Sequence, residues 1–146
     1  MNEINIQLRQ VSTSTSEATM RTHHVLIDRP VEKDGADVGP MGGELFLAAV
    51  GGCFMSNLLA AARARQVAIA DVRTTVSGTI ADSPGRFSAV ELGVTAENID
   101  QELLDRLVEI ADRGCIMMNT LRGKLPVRIR RVVAACPESS DSVTGD

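Results

Sequence analysis

The chain predicts an α+β fold of two β-hairpins and a final strand built about a long central helix, with a shorter amphipathic helix. Three observations carry that expectation: short runs with period-two alternation, a run from about Glu44 to Gln66 that is apolar on every side until Arg63, and an apolar stripe at helical spacing after Asp100. The 146 residues suit one domain with its own core, expected over residues 1–136 and followed by a polar, disordered tail over 137–146. With three Phe and neither Tyr nor Trp, that core must be aliphatic and alanine-rich.

Residues 2–9, "NEINIQLR", alternate polar side chains with Ile4, Ile6 and Leu8 and read as a half-buried strand. "STSTSEAT" (12–19) reads as a polar turn leading to a second strand around 20–28, which completes an N-terminal hairpin. Arg29-Pro30 ends that strand, because proline cannot donate to a ladder, and 31–43 reads as an exposed loop.

The helix expected from about Glu44 to Gln66 has no polar face, which marks a helix enclosed by protein. Gly51 and Gly52 each cost it roughly 1 kcal/mol relative to alanine, so close approach of another backbone is expected to offset them. One sheet from a chain of this length covers only part of such a helix, and a second subunit is expected to cover the rest.

"VRTTVSGTI" (72–80) and "RFSAVELGVTAE" (86–97) alternate as strands around the turn "ADSPGR", giving a second hairpin. Asn98 and Asp100 can both cap the next helix, whose stripe is Leu103, Leu104, Leu107, Val108, Ile110 and Ala111, and Gly114 ends it. "CIMMNTLRG" (115–123) is a short helix or turn, and "VRIRRVV" (127–133) is the last strand.

A formal net charge of -4 and a pI near 5.2 argue against nucleic acid or an anionic membrane as the main partner. The start "MNEINIQLRQ" carries no signal pattern, and the apolar run from Leu45 to Ala62 is interrupted by Gly51-Gly52 and Ser56-Asn57, which argues against a bilayer span. A cytoplasmic protein is expected.

Cys53, Cys115 and Cys136 are odd in number and widely spaced, which favours free thiols or a reversible catalytic disulfide over a structural framework. No local zinc-ligand spacing exists, and His23-His24 on a strand point to opposite faces, so neither a metal nor another cofactor is expected. Cys136 reads as an exposed bystander, and Met117 and Met118 as core or pocket wall. Cys53 follows two glycines, with the polar pair Ser56-Asn57 one turn on. Cys115 follows Gly114 and opens a helix, where free N–H groups and the dipole favour a thiolate. Composition and spacing leave two readings open: inert core cysteines, since free Cys is among the most buried residue types, or a pair that meets in space and reacts with an oxidant.

The segment "GPMGGELFLAAVGGCFMSNLL" resembles the first cysteine block of the OsmC/Ohr family, the osmotically inducible and organic hydroperoxide resistance proteins. "ADRGCIMMNTL" resembles that family's second cysteine block, and "HVLIDRPVEKDGADVGP" the loop approach of its OsmC-like branch. The likeness runs from about residue 20 to 133 with both blocks in the family's order. It implies an intertwined homodimer with the long helices at its centre, strongly curved sheets wrapped around them, and two active sites at the subunit interface.

The resemblance further implies that Cys53 is the peroxidatic thiol, that Cys115 resolves its sulfenic acid to a disulfide, and that an external dithiol, such as a lipoyl group, reduces it. An apolar pocket of Leu, Met and Phe54 suits an organic hydroperoxide as substrate. Such a pocket alone raises a thiol's pKa, so a cation is expected near Cys53. In the family an arginine and a glutamate serve there. Glu44 matches the Glu-Leu of the OsmC-like branch, while better characterised members place the glutamate one position earlier, at this chain's Gly43, and an exposed helix-start carboxylate is the other reading of Glu44. For the arginine, Arg29 before the loop is favoured over Arg21 on the second strand, with a solvated edge charge the plain alternative for each. Two non-enzymatic readings stand beside the peroxidase: a dimer that binds a small apolar ligand at its interface without chemistry, and a structural dimer with packed cysteines.

Overall fold

The computed structural model describes residues 1–133, so Cys136 and the tail expected over 137–146 lie outside the described residues. The chain falls into two compact units, the first ending at Gly52 and the second starting at Cys53. Its elements are β1 (Gln7–Gln10), β2 (Ser16–Met20), β3 (His23–Ile27), a 3-10 turn (Val31–Lys33), α1 (Gly42–Ala64), β4 (Ala70–Asp82), β5 (Gly85–Glu97), α2 (Gln101–Gly114), α3 (Ile116–Leu121) and β6 (Val127–Arg131).

The first unit corrects the expected N-terminal hairpin. Its sheet has three antiparallel strands in the order β1-β2-β3, with Gln10 opposite Ser16 and Met20 opposite His23. Only Ser12–Thr15 form a turn: the Ser12 hydroxyl accepts from the backbone N–H of Thr15 at 3.0 Å, and the N–H of Val11 donates to the carbonyl of Thr15 at 2.9 Å. The remainder of the Ser/Thr run is β2, because β-branched threonine fits a pleated strand as well as it fits a turn. A two-residue turn then joins β2 to β3 with Arg21 in the left-handed region at φ 58. Arg21 therefore sits in a turn and not on a strand.

The apolar residues expected to half-bury the first strand are exposed, Ile4 at 86%, Ile6 at 53% and Leu8 at 57%. Ile6 and Leu8, with Met20, Val25, Leu45 and Phe46, line an open apolar groove of about 460 Å³ on this unit.

The loop before α1 is folded around a buried carboxylate. Asp28 accepts from the backbone N–H of Arg29 (2.8 Å), Ala36 (3.1 Å) and Val38 (3.4 Å) and from the Thr15 hydroxyl (3.2 Å). Burial pushes this carboxyl up, but those backbone donors and the Ser14 side chain prevail and hold it below the ordinary carboxylate value. Gly35 packs against this turn so closely that a Cβ would lie 1.8 Å from the Arg29 carbonyl oxygen.

In the second unit, β4 and β5 are long antiparallel strands and β6 joins β5 in parallel, with Val90 opposite Val127. Phe54, Leu58, Ala61 and Ala62 from α1, Val90, Leu92 and Val94 from β5, and Leu104, Leu107 and Ala111 from α2 are buried. Asp100, and not Asn98, caps α2, its carboxylate accepting from the Leu103 N–H at 3.1 Å. Residues 115–123 resolve as the short helix α3 and a following turn.

Helix α1 is long and apolar enough to cross a membrane by composition, yet a third of that stretch is buried in protein. One flank of it, Ala48, Ala49, Gly52, Ser56, Leu59 and Ala60, is exposed, with Leu59 at 43%. A Cβ at Gly52 would meet nothing within 4 Å among the described residues, so the close approach expected to offset this glycine is not made within the described chain.

Candidate active site

The second unit brings Cys53 and Cys115 together. Cys53 is half-buried on α1, and Cys115 is fully buried at the joint between α2 and α3. That joint is fixed by its own bonds: the Asn119 side chain donates to the Arg113 carbonyl at 3.0 Å, and Arg122 pairs with Asp112 at 3.2 Å. The Cys115 thiol donates to Cys53 Sγ across 3.1 Å. A disulfide sets sulfurs about 2.05 Å apart, so the pair is reduced and roughly 1 Å from bonding distance.

The first turn of a helix leaves backbone N–H groups without intrahelical partners. At α3 the N–H groups of Met117 and Ile116 turn toward the sulfur of Cys53. Burial pushes the Cys53 thiol up, but the Met117 N–H, the Cys115 thiol and the Ile116 N–H together outweigh it, and Cys53 lies below the ordinary thiol value. Cys115 moves the other way: burial and the neighbouring Cys53 raise it against the N–H groups of Met118 and Met117. The helix opening expected to favour a thiolate on Cys115 thus serves Cys53, while Cys115 keeps its proton and donates it. These donors to Cys53 are neutral groups, where the sequence led to a cation.

Asn57, one turn after Cys53, donates from Nδ2 to the Cys53 carbonyl at 2.9 Å and lies 3.9 Å from Sγ. In the sequence Ser56-Asn57 stands out only as a polar pair, with no role marked for Asn57. The available signal was a poor helix former inside an Ala/Leu run.

Glu44 and Arg29 belong to the first unit. Glu44 stands in the first turn of α1 and its carboxylate accepts from the Met41 N–H at 2.7 Å. This is the reciprocal half of a capping box, the third helical residue reaching back to the N-cap N–H. Arg29 is exposed, and its backbone is held on both sides, by Asp28 and by the Asp37 N–H, which donates to its carbonyl at 3.0 Å. Arg21 is exposed in its turn. His23 and His24 are exposed on β3, where His24 Nδ1 lies 3.1 Å from the Thr19 hydroxyl.

The sequence model of the OsmC-like protein family matches residues 33–130. No curated protein matches the chain. A hypothetical protein of Aquifex aeolicus VF5 has a similar structure, with a TM-score of 0.78 at 15% identity over 91% of this chain and 97% of its own. The organic hydroperoxide resistance protein OsmC of Legionella pneumophila has a TM-score of 0.71 at 21% identity, covering 91% of this chain and 98% of its own. The organic hydroperoxide resistance protein OhrB of Bacillus subtilis has a TM-score of 0.66 at 22% identity, covering 90% and 98%. These likenesses show a shared fold.

Proposed function

The chain belongs to the OsmC-like protein family, and from that premise we propose that it is a thiol peroxidase reducing organic hydroperoxides through Cys53 and Cys115. The observation that carries the reading is the pair itself: two free thiols 3.1 Å apart, the more accessible one favoured as thiolate and the buried one favoured as thiol. The names of the Legionella and Bacillus proteins of this fold lend it support.

The thiolate of Cys53 attacks the distal oxygen of ROOH. The O–O bond breaks, the alkoxide leaves and takes a proton as ROH, and Cys53 becomes a sulfenic acid. The Cys115 sulfur, giving up its proton, then attacks Cys53 Sγ, and hydroxide leaves as water with the disulfide formed. An external dithiol, for which a lipoyl group is the model, returns both cysteines to thiols and is itself oxidised to a disulfide. Arg29 and Glu44 are proposed as supporting charges, following the family resemblance, with Glu44 also capping α1.

We read the protein as a homodimer. The exposed apolar flank of α1 and the open position at Gly52 are what a second copy would cover. A second reading, a non-catalytic dimer that binds a small apolar ligand, draws on the apolar groove lined by Ile6, Leu8 and Phe46. Turnover separates the two: peroxidase activity predicts consumption of tert-butyl hydroperoxide with dihydrolipoamide as reductant, abolished by Cys53→Ser. Reversible binding of the intact hydroperoxide without consumption supports the ligand-binding reading instead.

A further inference from the structure

We infer that Asn57 is a positioning residue for the Cys53 thiol, its side-chain amide clamped between the reactive helix α1 and Gly114, the residue that precedes Cys115. The two hydrogens on Nδ2 have separate destinations, the Cys53 carbonyl at 2.9 Å and Cys53 Sγ at 3.9 Å. On the opposite side, Gly114 faces the amide oxygen. A Cβ there would lie 3.0 Å from Asn57 Oδ1 and 3.8 Å from Cγ, so a side chain at residue 114 would make the amide give by a few tenths of an ångström.

Asparagine has no other evident reason to occupy this position. It is a poorer helix former than the alanines and leucines around it, and its bond to the carbonyl one turn back competes with the helix's own ladder. Against these costs stands one gain, an N–H directed at the sulfur on which negative charge develops. A donor to an ionised acceptor binds it more strongly than the neutral form. The amide thus lies beside the residue that precedes Cys115. Other groups facing Cys53 Sγ among the described residues are the Ile116 and Met117 N–H groups and one titratable neighbour, the Cys115 thiol.

The inference deepens the peroxidase reading, since Cys53 is its nucleophile, but the test measures thiol acidity and needs no turnover. The full chain is alkylated with iodoacetamide across pH 5 to 10, and modification of Cys53 is followed by peptide mass spectrometry. Asn57→Leu, similar in size and without a donor, shifts the profile to higher pH and slows alkylation at neutral pH roughly threefold to tenfold, the effect of half to one pKa unit. The rate at the alkaline plateau does not fall, since a thiolate of higher pKa is the stronger nucleophile. Asn57→Ala, a good helix former without a donor, shifts it likewise, and it carries the test if the leucine variant fails to fold. Gly114→Ala shifts it in the same direction by displacing the amide. An unchanged profile in the folded variants that lack the donor overturns the inference. If the wild-type chain consumes no hydroperoxide yet the profile shifts as described, the peroxidase reading fails and the role of Asn57 stands.

Discussion

The sulfur of Cys115 donates to the sulfur of Cys53 across 3.1 Å, and the first-turn N–H groups of α3 meet at the same acceptor. The two thiols are thereby made unequal: the more accessible Cys53 is shifted toward the thiolate and the buried Cys115 toward the thiol.

Thiol reactivity follows from this division. Only the thiolate is nucleophilic, so reactivity rises as pH passes the thiol's pKa. Cys53 is lowered and Cys115 raised. Mapped alkylation as a function of pH is therefore expected to label Cys53 at lower pH than Cys115, with a midpoint below that of a free cysteine. In Cys115→Ala, which has no donor for this contact, the Cys53 midpoint moves upward.

The roles proposed for Arg29 and Glu44 are tested by rate. Under the role proposed for it, Arg29→Ala slows hydroperoxide consumption by about tenfold, whereas Arg21→Ala, in its exposed turn, changes it little. Glu44→Gln retains an oxygen that can accept from the Met41 N–H, so it keeps the thermal midpoint while lowering the rate. Glu44→Ala lowers both. Initial rates paired with thermal melts separate the two roles.

Much of this arrangement was legible in the sequence. The stripe of α2 and the alternation of β5 pointed to their buried faces directly, because Leu104 and Leu107, and Val90 and Leu92, obey one period each. Two glycine-preceded cysteines in matching blocks pointed to the pair. Other features needed coordinates. Ser and Thr serve both turns and strands, so local composition could not place β2 within 12–19. The start of α3 lies beside Cys115 in sequence but aims its N–H groups at Cys53, a relation that exists only through space. The acceptor role of Asp28 depends on backbone groups up to ten residues away, and no side-chain pattern announces them.

Asp28 makes the loop before α1 sensitive to acid. Its carboxyl is held below the unfolded value, so its contribution to stability is full above the ordinary carboxylate pKa of about 3.9 and is lost as pH falls through the lower folded value. Asp28→Asn replaces one acceptor oxygen with a donor facing the N–H groups of Ala36 and Val38. Its melting temperature is expected to fall at neutral pH, and the gap from wild type to narrow as pH drops below that range. Melts between pH 2 and 7 check both.

Self-association is expected to run through α1. Leu59, 43% exposed on the apolar flank, is its most prominent side chain. Leu59→Asp introduces a charge that a buried interface cannot pair, so it shifts the protein from dimer to monomer in light scattering coupled to size exclusion. Leu59→Met preserves the dimer.

The central claim is that Cys53 and Cys115 act as one redox unit. Its most direct test is a thiol count on the reduced full chain after stoichiometric cumene hydroperoxide, with the linkage mapped by mass spectrometry. The account predicts rapid loss of two thiols and a Cys53–Cys115 disulfide, with no disulfide in Cys53→Ser and a sulfenic acid trapped on Cys53 in Cys115→Ser. Survival of both thiols at neutral pH, or a first oxidation at Cys115, contradicts it.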